Sequence, residues 1–279
     1  MPFDLANLLA CMRLRETGTD TYEGDNLDLD YRRVFGGQLL AQTVQALRGS
    51  AGDKTLKSLT QRFPREGDVA LPITYEVNQR QVGRTFATMD VSLTQEGKLI
   101  STASATLHLV EEGLGHPATP PDTASPQDCV AEEISMIPWE IRVVDGVNLS
   151  DPAPRPPTYR FWMRAADVSS LTSDDSLWVH QALLAHATDL TVIGTALLAV
   201  DGLSQADTGT AFHSAVTSHA LWFHDSFRMD DWVLVDQKAP ALCGGRGFGR
   251  GDVWQDGRLV ASFAQESMVR LLAQTPSDQ

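Results

Sequence analysis

The sequence predicts an α+β fold in which one long helix, wrapped by a curved antiparallel sheet, occurs twice. In each half, a helical segment rich in small and apolar residues precedes several strand-like segments separated by turn residues. Several short motifs of the first half return in the same order in the second half. Nine of the fourteen prolines lie between the two halves. The predicted organisation is a first repeat at 1–111, a proline-rich connection at 112–157 and a second repeat at 158–279.

The first repeat reads as two helices followed by strands. An amphipathic pattern predicts a helix at 3–13, and residues 15–23 alternate weakly as a strand would. Gly36 and Gly37 mark a tight backbone entry into a helix at 38–47. Four strands are predicted after it, with Gly-containing turn signals between them: 56–64, 73–80, 85–95 and 99–109.

The second repeat follows a connection in which we expect one short element, around 132–136. A strand-like segment at 159–165 leads into a helical stretch at 173–198. Four more strands are predicted after that stretch: 211–223, 232–238, 246–254 and 259–269.

The stretch 173–198 is predicted to contain the buried core helix of the second repeat. Three residues at its start can cap a first helical turn through side-chain oxygens: Ser173, Asp174 and Asp175. The stretch is then uncharged and apolar on almost every side up to Asp189, which is typical of a buried helix. A carboxylate at the end of such a helix must be paired, hydrogen-bonded or functional. The matching region of the first repeat, 41–50, has no acidic residue, so the fold alone does not require Asp189.

The internal repeat is carried by motifs that are short but ordered. Residues 83–86 (Gly-Arg-Thr-Phe) correspond to 245–248 (Gly-Arg-Gly-Phe). Residues 96–101 (Glu-Gly-Lys-Leu-Ile-Ser) correspond to 256–261 (Asp-Gly-Arg-Leu-Val-Ala). Two copies of one structural unit account for these matches more economically than coincidence.

Composition and charge limit the function. The net charge of −14 and the lack of a Lys/Arg run argue against a nucleic-acid partner. Three widely spaced cysteines form no disulfide framework and no zinc spacing, which indicates a reducing, cytoplasmic compartment. The N-terminus lacks the basic region of a signal peptide, and we expect no membrane span because no apolar run approaches ~20 residues.

A set of motifs from 34 to 266 resembles the type II acyl-CoA thioesterases, the TesB-like family with a double hot-dog fold. The motifs are specific together rather than singly: Val-Phe-Gly-Gly-Gln at 34–38, Phe-Pro-Arg-Glu-Gly-Asp at 63–68, His-Gln at 180–181, Thr-Asp-Leu at 188–190, His-Ala-Leu-Trp-Phe-His at 219–224, Arg-Gly-Phe at 246–248 and Ala-Gln-Glu at 264–266. The resemblance implies hydrolysis of fatty acyl-CoA to a free fatty acid and coenzyme A, with no cofactor and no metal.

The resemblance also implies a catalytic trio of an Asp, a Ser or Thr and a Gln that hold and activate one water. Asp189 fits the first position and Gln265 the third. The position that usually carries the hydroxyl is Val216 here, and the nearest hydroxyls are Thr217 and Ser218. We predict Thr217, provided that a bulge re-aims its side chain.

Thioester hydrolysis also needs a stabilised oxyanion. Backbone N–H groups at a helix start, such as the one near His180, are suitable donors. Ala105 stands where Gln265 would have its counterpart in the first repeat, so we expect the chemistry in the second repeat.

Other sequence patterns give weaker support for a phosphate-binding loop, a metal site or a serine-hydrolase site. The glycines of 245–251 suggest a phosphate loop but lie in a predicted strand with no helix after it. Arg246 and Arg250 could meet the phosphates of coenzyme A, although strand arginines are commonly only exposed. The histidines and Asp189 have no metal-ligand spacing, and no Gly-x-Ser-x-Gly elbow supports a serine hydrolase.

Two further functions stay open beside the thioesterase. One is a hot-dog enoyl-CoA hydratase, which the proximity of His186 to Asp189 in sequence keeps in view. The other is a catalytically weak acyl-thioester-binding protein, which Val216 favours. Because the edges of hot-dog sheets commonly pair, we expect a homo-oligomer, a dimer of double hot-dogs.

Overall fold

The computed structural model describes residues 4–29, 32–134, 137–170 and 176–272. Within these ranges the chain forms four α-helices: α1 (Leu5–Cys11), α2 (Gly36–Ser50), α3 (Leu177–Ala187) and α4 (Val192–Leu197). The same ranges contain thirteen strands: β1 (Arg15–Gly18), β2 (Thr21–Gly24), β3 (Thr55–Arg62), β4 (Ile73–Val82), β5 (Phe86–Gln95), β6 (Lys98–His108), β7 (Val130–Glu132), β8 (Glu140–Val143), β9 (Thr158–Arg164), β10 (Phe212–Phe223), β11 (Val233–Cys243), β12 (Arg246–Gln255) and β13 (Arg258–Leu271).

All of these strands belong to one antiparallel sheet with the order β1-β2-β4-β5-β6-β3-β10-β13-β12-β11-β9-β8-β7. The order is nearly symmetric about the junction of β3 with β10, as two copies of one unit require. At that junction the strands pair from Ser218 opposite Arg62 to Trp222 opposite Ser58. The two repeats therefore form one continuous sheet, and the predicted α+β fold with two helix-and-sheet units is confirmed.

The repeat extends to a buried glutamine at the end of one strand in each unit. The Gln95 side chain donates to the carbonyl oxygens of Asp68 and Leu71 at 2.7 and 2.6 Å, and it accepts from the Asp68 N–H at 2.8 Å. The Gln255 side chain donates to the carbonyl of Arg228 at 2.7 Å and accepts from its N–H at 2.9 Å. Each glutamine thus holds the loop that enters the second long strand of its own unit.

The two central helices lie side by side and antiparallel beneath the sheet. Ten of the fifteen residues of α2 and ten of the eleven residues of α3 are buried. The Gln45 side chain donates to the Trp178 carbonyl at 3.3 Å, where α2 nears its end and α3 begins. At the opposite end, a Cβ added to Gly37 would lie 2.4 Å from the carbonyl oxygen of His186. The glycine therefore allows the start of α2 to touch the end of α3.

The stretch 173–198 differs from one continuous helix. It contains α3 and α4, separated by a turn at 188–191 that places Asp189 at the end of α3. The predicted capping residues Ser173, Asp174 and Asp175 lie outside the described residues, and α3 has Ser176 at its N-cap position. The helix is buried as its composition predicts, since Ala182, Leu183 and Leu184 are completely inaccessible.

The proline-rich connection contributes more to the sheet than its composition suggests. Its residues form β7 and β8, and β8 pairs with β9 from Glu140 opposite Arg164 to Val143 opposite Phe161. The sequence predicts only one short element here, around 132–136. It does not predict β7 and β8, because strands of three and four residues are too short to show an alternating pattern. Ser135 and Met136 lie outside the described residues. The connection thus extends the sheet beyond β9.

Candidate active site

The carboxylate of Asp189 is buried where the two repeats meet. Asp189 is 2% exposed, and this burial raises the pKa of its carboxyl group to about 7. A hydrogen bond from the Gly37 backbone N–H to the carboxylate offsets part of this rise in pKa. Gly37 belongs to the first turn of α2, where backbone N–H groups have no partner within the helix and the helix dipole favours negative charge. The first repeat therefore supplies a donor to the carboxylate of the second.

Gly36 makes room beside the same carboxylate. A Cβ built on Gly36 would lie 2.8 Å from Asp189 Oδ2 and 3.3 Å from its carboxyl carbon. A side chain at this position would occupy space directly against the carboxylate oxygen. The Gly-Gly pair, predicted from sequence as a tight entry to a helix, thus also shapes one wall of the site.

Gln265 reaches Asp189 from the central strands of the second repeat. Gln265 on β13 is paired with His219 on β10, and each is 1% exposed. The atoms facing one end of the Gln265 amide are acceptors, which places the amide nitrogen there. That nitrogen lies 2.8 Å from His219 Nδ1, 3.3 Å from Asp189 Oδ1 and 3.1 Å from the Asp189 carbonyl oxygen. The structure thus brings Asp189 and Gln265 together.

His219 links this pair to Thr188. The Nε2 atom of His219 lies 3.1 Å from the hydroxyl of Thr188, which in turn lies 3.4 Å from the Ala185 carbonyl. Burial lowers the pKa of His219 to about 4, so its ring is neutral at pH 7. His219 Nδ1 and Asp189 Oδ1 are 3.9 Å apart, too far for a direct hydrogen bond. Sequence analysis missed Thr188 and His219 in this role, although both lie within the motifs of the resemblance.

The structure does not bring Thr217 to Asp189 and Gln265. A bulge does interrupt β10 between Val216 and Ser218, as our prediction requires, but the Thr217 side chain is exposed. Its hydroxyl donates to the carbonyl of Glu266 at 3.0 Å.

The neighbours of Thr217 do not place a β10 hydroxyl in the site either. Ser218 is paired with Glu266, whose side chain is exposed. Val216 is paired with the buried Ser267, and directly opposed residues share a face of the sheet. The buried face of β10 therefore presents Val216 where the resemblance expects a hydroxyl.

The first repeat has apolar residues at the positions equivalent to His219 and Gln265. Leu59 on β3 is paired with Ala105 on β6, just as His219 is paired with Gln265. Leu59 is fully buried and Ala105 is 2% exposed. The polar pair therefore occurs in the second repeat, while the equivalent pair of the first contributes to the hydrophobic core.

The helix start that faces Asp189 is not the predicted one near His180. That residue lies in the first turn of α3, at the opposite end of the helix from Asp189, and its Nδ1 accepts from the Met229 N–H at 3.0 Å. The N-terminus of α2 is the helix start beside the carboxylate. Sequence spacing cannot reveal this, because α2 and α3 are more than 120 residues apart.

Aromatic rings surround the end of α3. The fully buried ring of His186 packs edge-on against Phe35 at 5.2 Å and against Trp139 at 6.2 Å between centroids. Burial lowers the pKa of His186 to about 3, so this histidine is also neutral at pH 7. Burial among apolar groups favours the neutral form of a carboxylic acid and so raises its pKa.

The other candidate patterns do not add a side chain to this cluster, although Gly249 of the glycine-rich segment pairs directly opposite Gln265. The glycine-rich segment 245–251 runs into β12, and Arg246 and Arg250 are exposed there. His224 is exposed and lies 3.1 Å from the Ser262 hydroxyl, whereas His219 is buried. Among the described residues, no group of three or more His, Cys, Asp or Glu side chains is placed to hold a metal ion. In the same ranges, no helix is both long and apolar enough to cross a membrane.

A duplicated helix-and-sheet unit in one continuous sheet, with a buried carboxylate and amide at the junction of its halves, defines a double hot-dog protein. Residues 28–108 match the acyl-CoA thioesterase N-terminal domain, and residues 113–269 match the acyl-CoA thioesterase C-terminal domain. The chain belongs to the acyl-CoA thioesterase family. Within hot-dog proteins it is of the type II, TesB-like kind, and thioester hydrolysis is the activity of that family.

Individual relatives agree along nearly the whole chain. Acyl-CoA thioesterase 2 of Haemophilus influenzae is 28% identical over 95% of this chain and 98% of its own length. Acyl-coenzyme A thioesterase 8 of Mus musculus is 28% identical over 97% of this chain and 92% of its own. An acyl-CoA thioesterase II, TesB2, from Mycobacterium marinum superposes with a TM-score of 0.79 at 26% identity, covering 95% and 99% of the two chains. A tesB protein of Mycobacterium avium subs paratuberculosis shares the fold with a TM-score of 0.81 at 24% identity, over 95% and 99%.

Proposed function

We propose that this chain hydrolyses fatty acyl-CoA to a free fatty acid and coenzyme A with a water activated by Asp189 and Gln265. The observation that supports the proposal is the contact between these two buried side chains beside the N-terminus of α2. A carboxylate with a pKa of about 7 can accept a proton from water near neutral pH and return it later in the reaction. The amide of Gln265 orients the water relative to that carboxylate.

The reaction follows from these groups without a covalent enzyme intermediate. The water oxygen bonds to the thioester carbonyl carbon while its proton passes to Asp189. Backbone N–H groups of the first turn of α2 other than that of Gly37, which donates to Asp189, stabilise the oxyanion that forms; such donors are typically worth ~3–4 kcal/mol of barrier. The carbon–sulfur bond then breaks, and the thiolate of coenzyme A takes the proton from Asp189. The products are one carboxylic acid and one thiol, and the carboxylate of Asp189 is restored.

The experiment is a thiol-release assay with acyl-CoAs of increasing chain length on the parent and two variants. We expect Asp189→Asn and Gln265→Ala to lower kcat by about 10²-fold or more, because each removes a group that positions or activates the water. Asp252→Asn, at an exposed residue of β12, is the matched control and should keep the parental rate. Parental rates in both site variants would refute the proposed site.

Val216 favours one alternative, a protein that binds acyl thioesters but turns them over weakly. In that case coenzyme A thioesters would bind with ordinary affinity while little thiol is released. The enoyl-CoA hydratase alternative has its own signature, since an enoyl-CoA would gain water with no thiol produced. Binding, hydration and thiol release measured on the same preparation separate the three functions.

We also propose that the chain forms a homodimer of double hot-dogs in the cytoplasm. The sheet ends in the strands β1 and β7, and open sheet edges or faces favour association. Trp222 is 40% exposed on β10, at the centre of the sheet, which adds an apolar surface for a partner. All three cysteines are free thiols, consistent with a reducing compartment. Light scattering after gel filtration should give twice the mass of one chain, and a monomer would refute the dimer.

A further inference from the structure

His219 lies in the middle of a series of hydrogen bonds in which each group donates to the next, from Gln265 to the Ala185 carbonyl. The Gln265 amide nitrogen donates to His219 Nδ1 at 2.8 Å. Because Nδ1 accepts, the single proton of the neutral ring lies on Nε2, which donates to the Thr188 hydroxyl at 3.1 Å. The hydroxyl then directs its own proton to the Ala185 carbonyl at 3.4 Å. Each donor fixes the role of the next group.

The direction of this chain decides which way the Gln265 amide faces. The two ends of a side-chain amide have nearly the same shape, so packing alone distinguishes them poorly. With the reverse orientation, the Gln265 oxygen would face both the Oδ1 and the carbonyl oxygen of Asp189, which are acceptors. A His219 ring with its proton on Nδ1 would stabilise that reverse orientation, whereas the Nε2–H form stabilises the productive one.

The ring itself is held so that it can perform this selection. His219 is 1% exposed and packs nearly parallel to the Phe263 ring, with 5.9 Å between centroids and 11° between planes. Thr188 is 2% exposed and precedes Asp189 in the chain, so the turn that presents the carboxylate also presents the acceptor for Nε2–H. In so buried a site these hydrogen bonds are stronger than in water, and an unpaired donor or acceptor would be costly.

We propose that His219 is a positioning residue of the thioesterase, which acts through Gln265 and not on the substrate. As the Nε2–H tautomer held by Thr188, it keeps the amide nitrogen of Gln265 toward Asp189 and the amide oxygen on the opposite side. This role rests on the proposed function of Asp189 and Gln265. In this role the buried His219 orients the Gln265 amide as a neutral ring, without gaining or losing a proton.

The first measurement is the tautomer of His219 in the unliganded parent, from long-range ¹H–¹⁵N correlation spectra of the imidazole at pH 7. We expect the Nε2–H form. In Thr188→Val the acceptor for Nε2–H is lost, so we expect the Nδ1–H form to gain population and kcat to fall. A parent ring protonated on Nδ1 would overturn the role of His219.

The second measurement is the kinetics of substitutions at 219. His219→Leu should lower kcat by ~10–100-fold with KM within about threefold, because the water is misplaced while substrate contacts are kept. His219→Asn retains a hydrogen-bonding group near the position of Nδ1 and should recover a large part of that loss. His224→Leu, at an exposed histidine five residues along the chain, is the matched control and should keep the parental kcat. Full kcat in His219→Leu, or no recovery in a folded His219→Asn, would overturn the proposal.

These outcomes separate the two proposals. A parental rate in Asp189→Asn refutes the proposed site and, with it, any positioning role. A large loss in Asp189→Asn together with the Nδ1–H tautomer in the parent refutes the role of His219 alone. Because the tautomer is read without substrate, Thr188→Val and His219→Asn keep the test decisive if His219→Leu does not fold.

Discussion

Gly36 of the first repeat lies against the carboxylate of Asp189 of the second, with no room for a side chain between them. A Cβ on Gly36 would lie 2.8 Å from Asp189 Oδ2. Real Cβ atoms essentially never approach an oxygen so closely, so the carboxylate would have to move. The backbone of Gly36 is not in the left-handed region, and an alanine there is conformationally acceptable. This contact can therefore be probed with one methyl group.

We predict that Gly36→Ala lowers kcat by at least ~10-fold through displacement of the Asp189 carboxylate. Alanine is the better helix former, so the loss of activity should come with little change in thermal stability. Gly113→Ala is the matched control, because a Cβ at Gly113 meets nothing within 4 Å. A Gly36→Ala enzyme with parental kcat would show that the space beside Oδ2 is not used in the reaction.

The pH dependence of the reaction should report the ionisation of Asp189. The carboxylate must be ionised to accept a proton, and its pKa is about 7. We therefore expect kcat/KM to rise with pH and to reach half of its plateau near pH 7. The measurement is thiol release between pH 5 and 9, corrected for spontaneous thioester hydrolysis at each pH. A rate already constant above pH 5 would contradict Asp189 as the base.

The same ionisation should cost stability. The folded pKa of Asp189 is raised from 3.8 to about 7, so between these values the native state holds a proton that the unfolded chain has released. Stability therefore falls as pH rises through this window, by roughly 4 kcal/mol in total at about 1.36 kcal/mol per pKa unit.

From this we predict that Asp189→Asn is more stable than the parent at pH 8 by roughly 1–4 kcal/mol, and that the difference shrinks below pH 5. Urea unfolding at pH 4.5, 6 and 8 measures it. The lowered pKa of His219 acts in the opposite direction, since its contribution is lost as pH falls from 6.5 toward 4. Both proteins contain this histidine, so comparing them isolates the carboxylate. A variant less stable than the parent at pH 8 would contradict the prediction.

The missing hydroxyl leads to a prediction about Val216. Threonine has nearly the shape of valine, and at this position its hydroxyl would lie on the buried face opposite Ser267. We expect Val216→Thr to raise kcat by about fivefold, the effect of one hydrogen bond worth ~1 kcal/mol in the transition state. An unchanged or lowered kcat in a variant of parental stability would show that the hydroxyl has no place here.

Thr217 supplies the paired test. Its hydroxyl is exposed and bonded to the Glu266 carbonyl, so Thr217→Val should keep kcat within about twofold. The assay is thiol release under the conditions used for Val216→Thr. A loss in Thr217→Val comparable to that of Asp189→Asn would instead restore the catalytic role that the sequence predicts for it.

The sequence allows the long strands and the repeat to be predicted, because both depend on local patterns. Alternation and turn glycines give β4, β5 and β6 to within two residues, and the repeat follows from ordered motifs. The strands β7 and β8 escape prediction because three or four residues among prolines show no period. Their pairing with β9 is a tertiary effect.

The site was predictable only in part, for a similar reason. Asp189 and Gln265 can be named from motifs, and the structure brings them together. The contact of Thr188 with His219 joins residues 31 positions apart, and the approach of Gly36 to Asp189 joins residues more than 150 apart. The Thr217 side chain points outward because of a bulge in the pairing of β10 with β13, which depends on both strands. None of these relations leaves a periodic trace in the chain.

The pairing of Leu59 with Ala105, where the second repeat has His219 and Gln265, shows what covalent fusion makes possible. In a homodimer of single units, every substitution appears on both sides of the two-fold axis, so each residue must suit both places at once. When the two units belong to one chain, equivalent positions can carry different residues. One copy of the position is hydrophobic and contributes to the core, while the other has buried polar groups that are costly to bury. Within one chain, the two equivalent positions can therefore differ, one contributing to the hydrophobic core and the other to the proposed site.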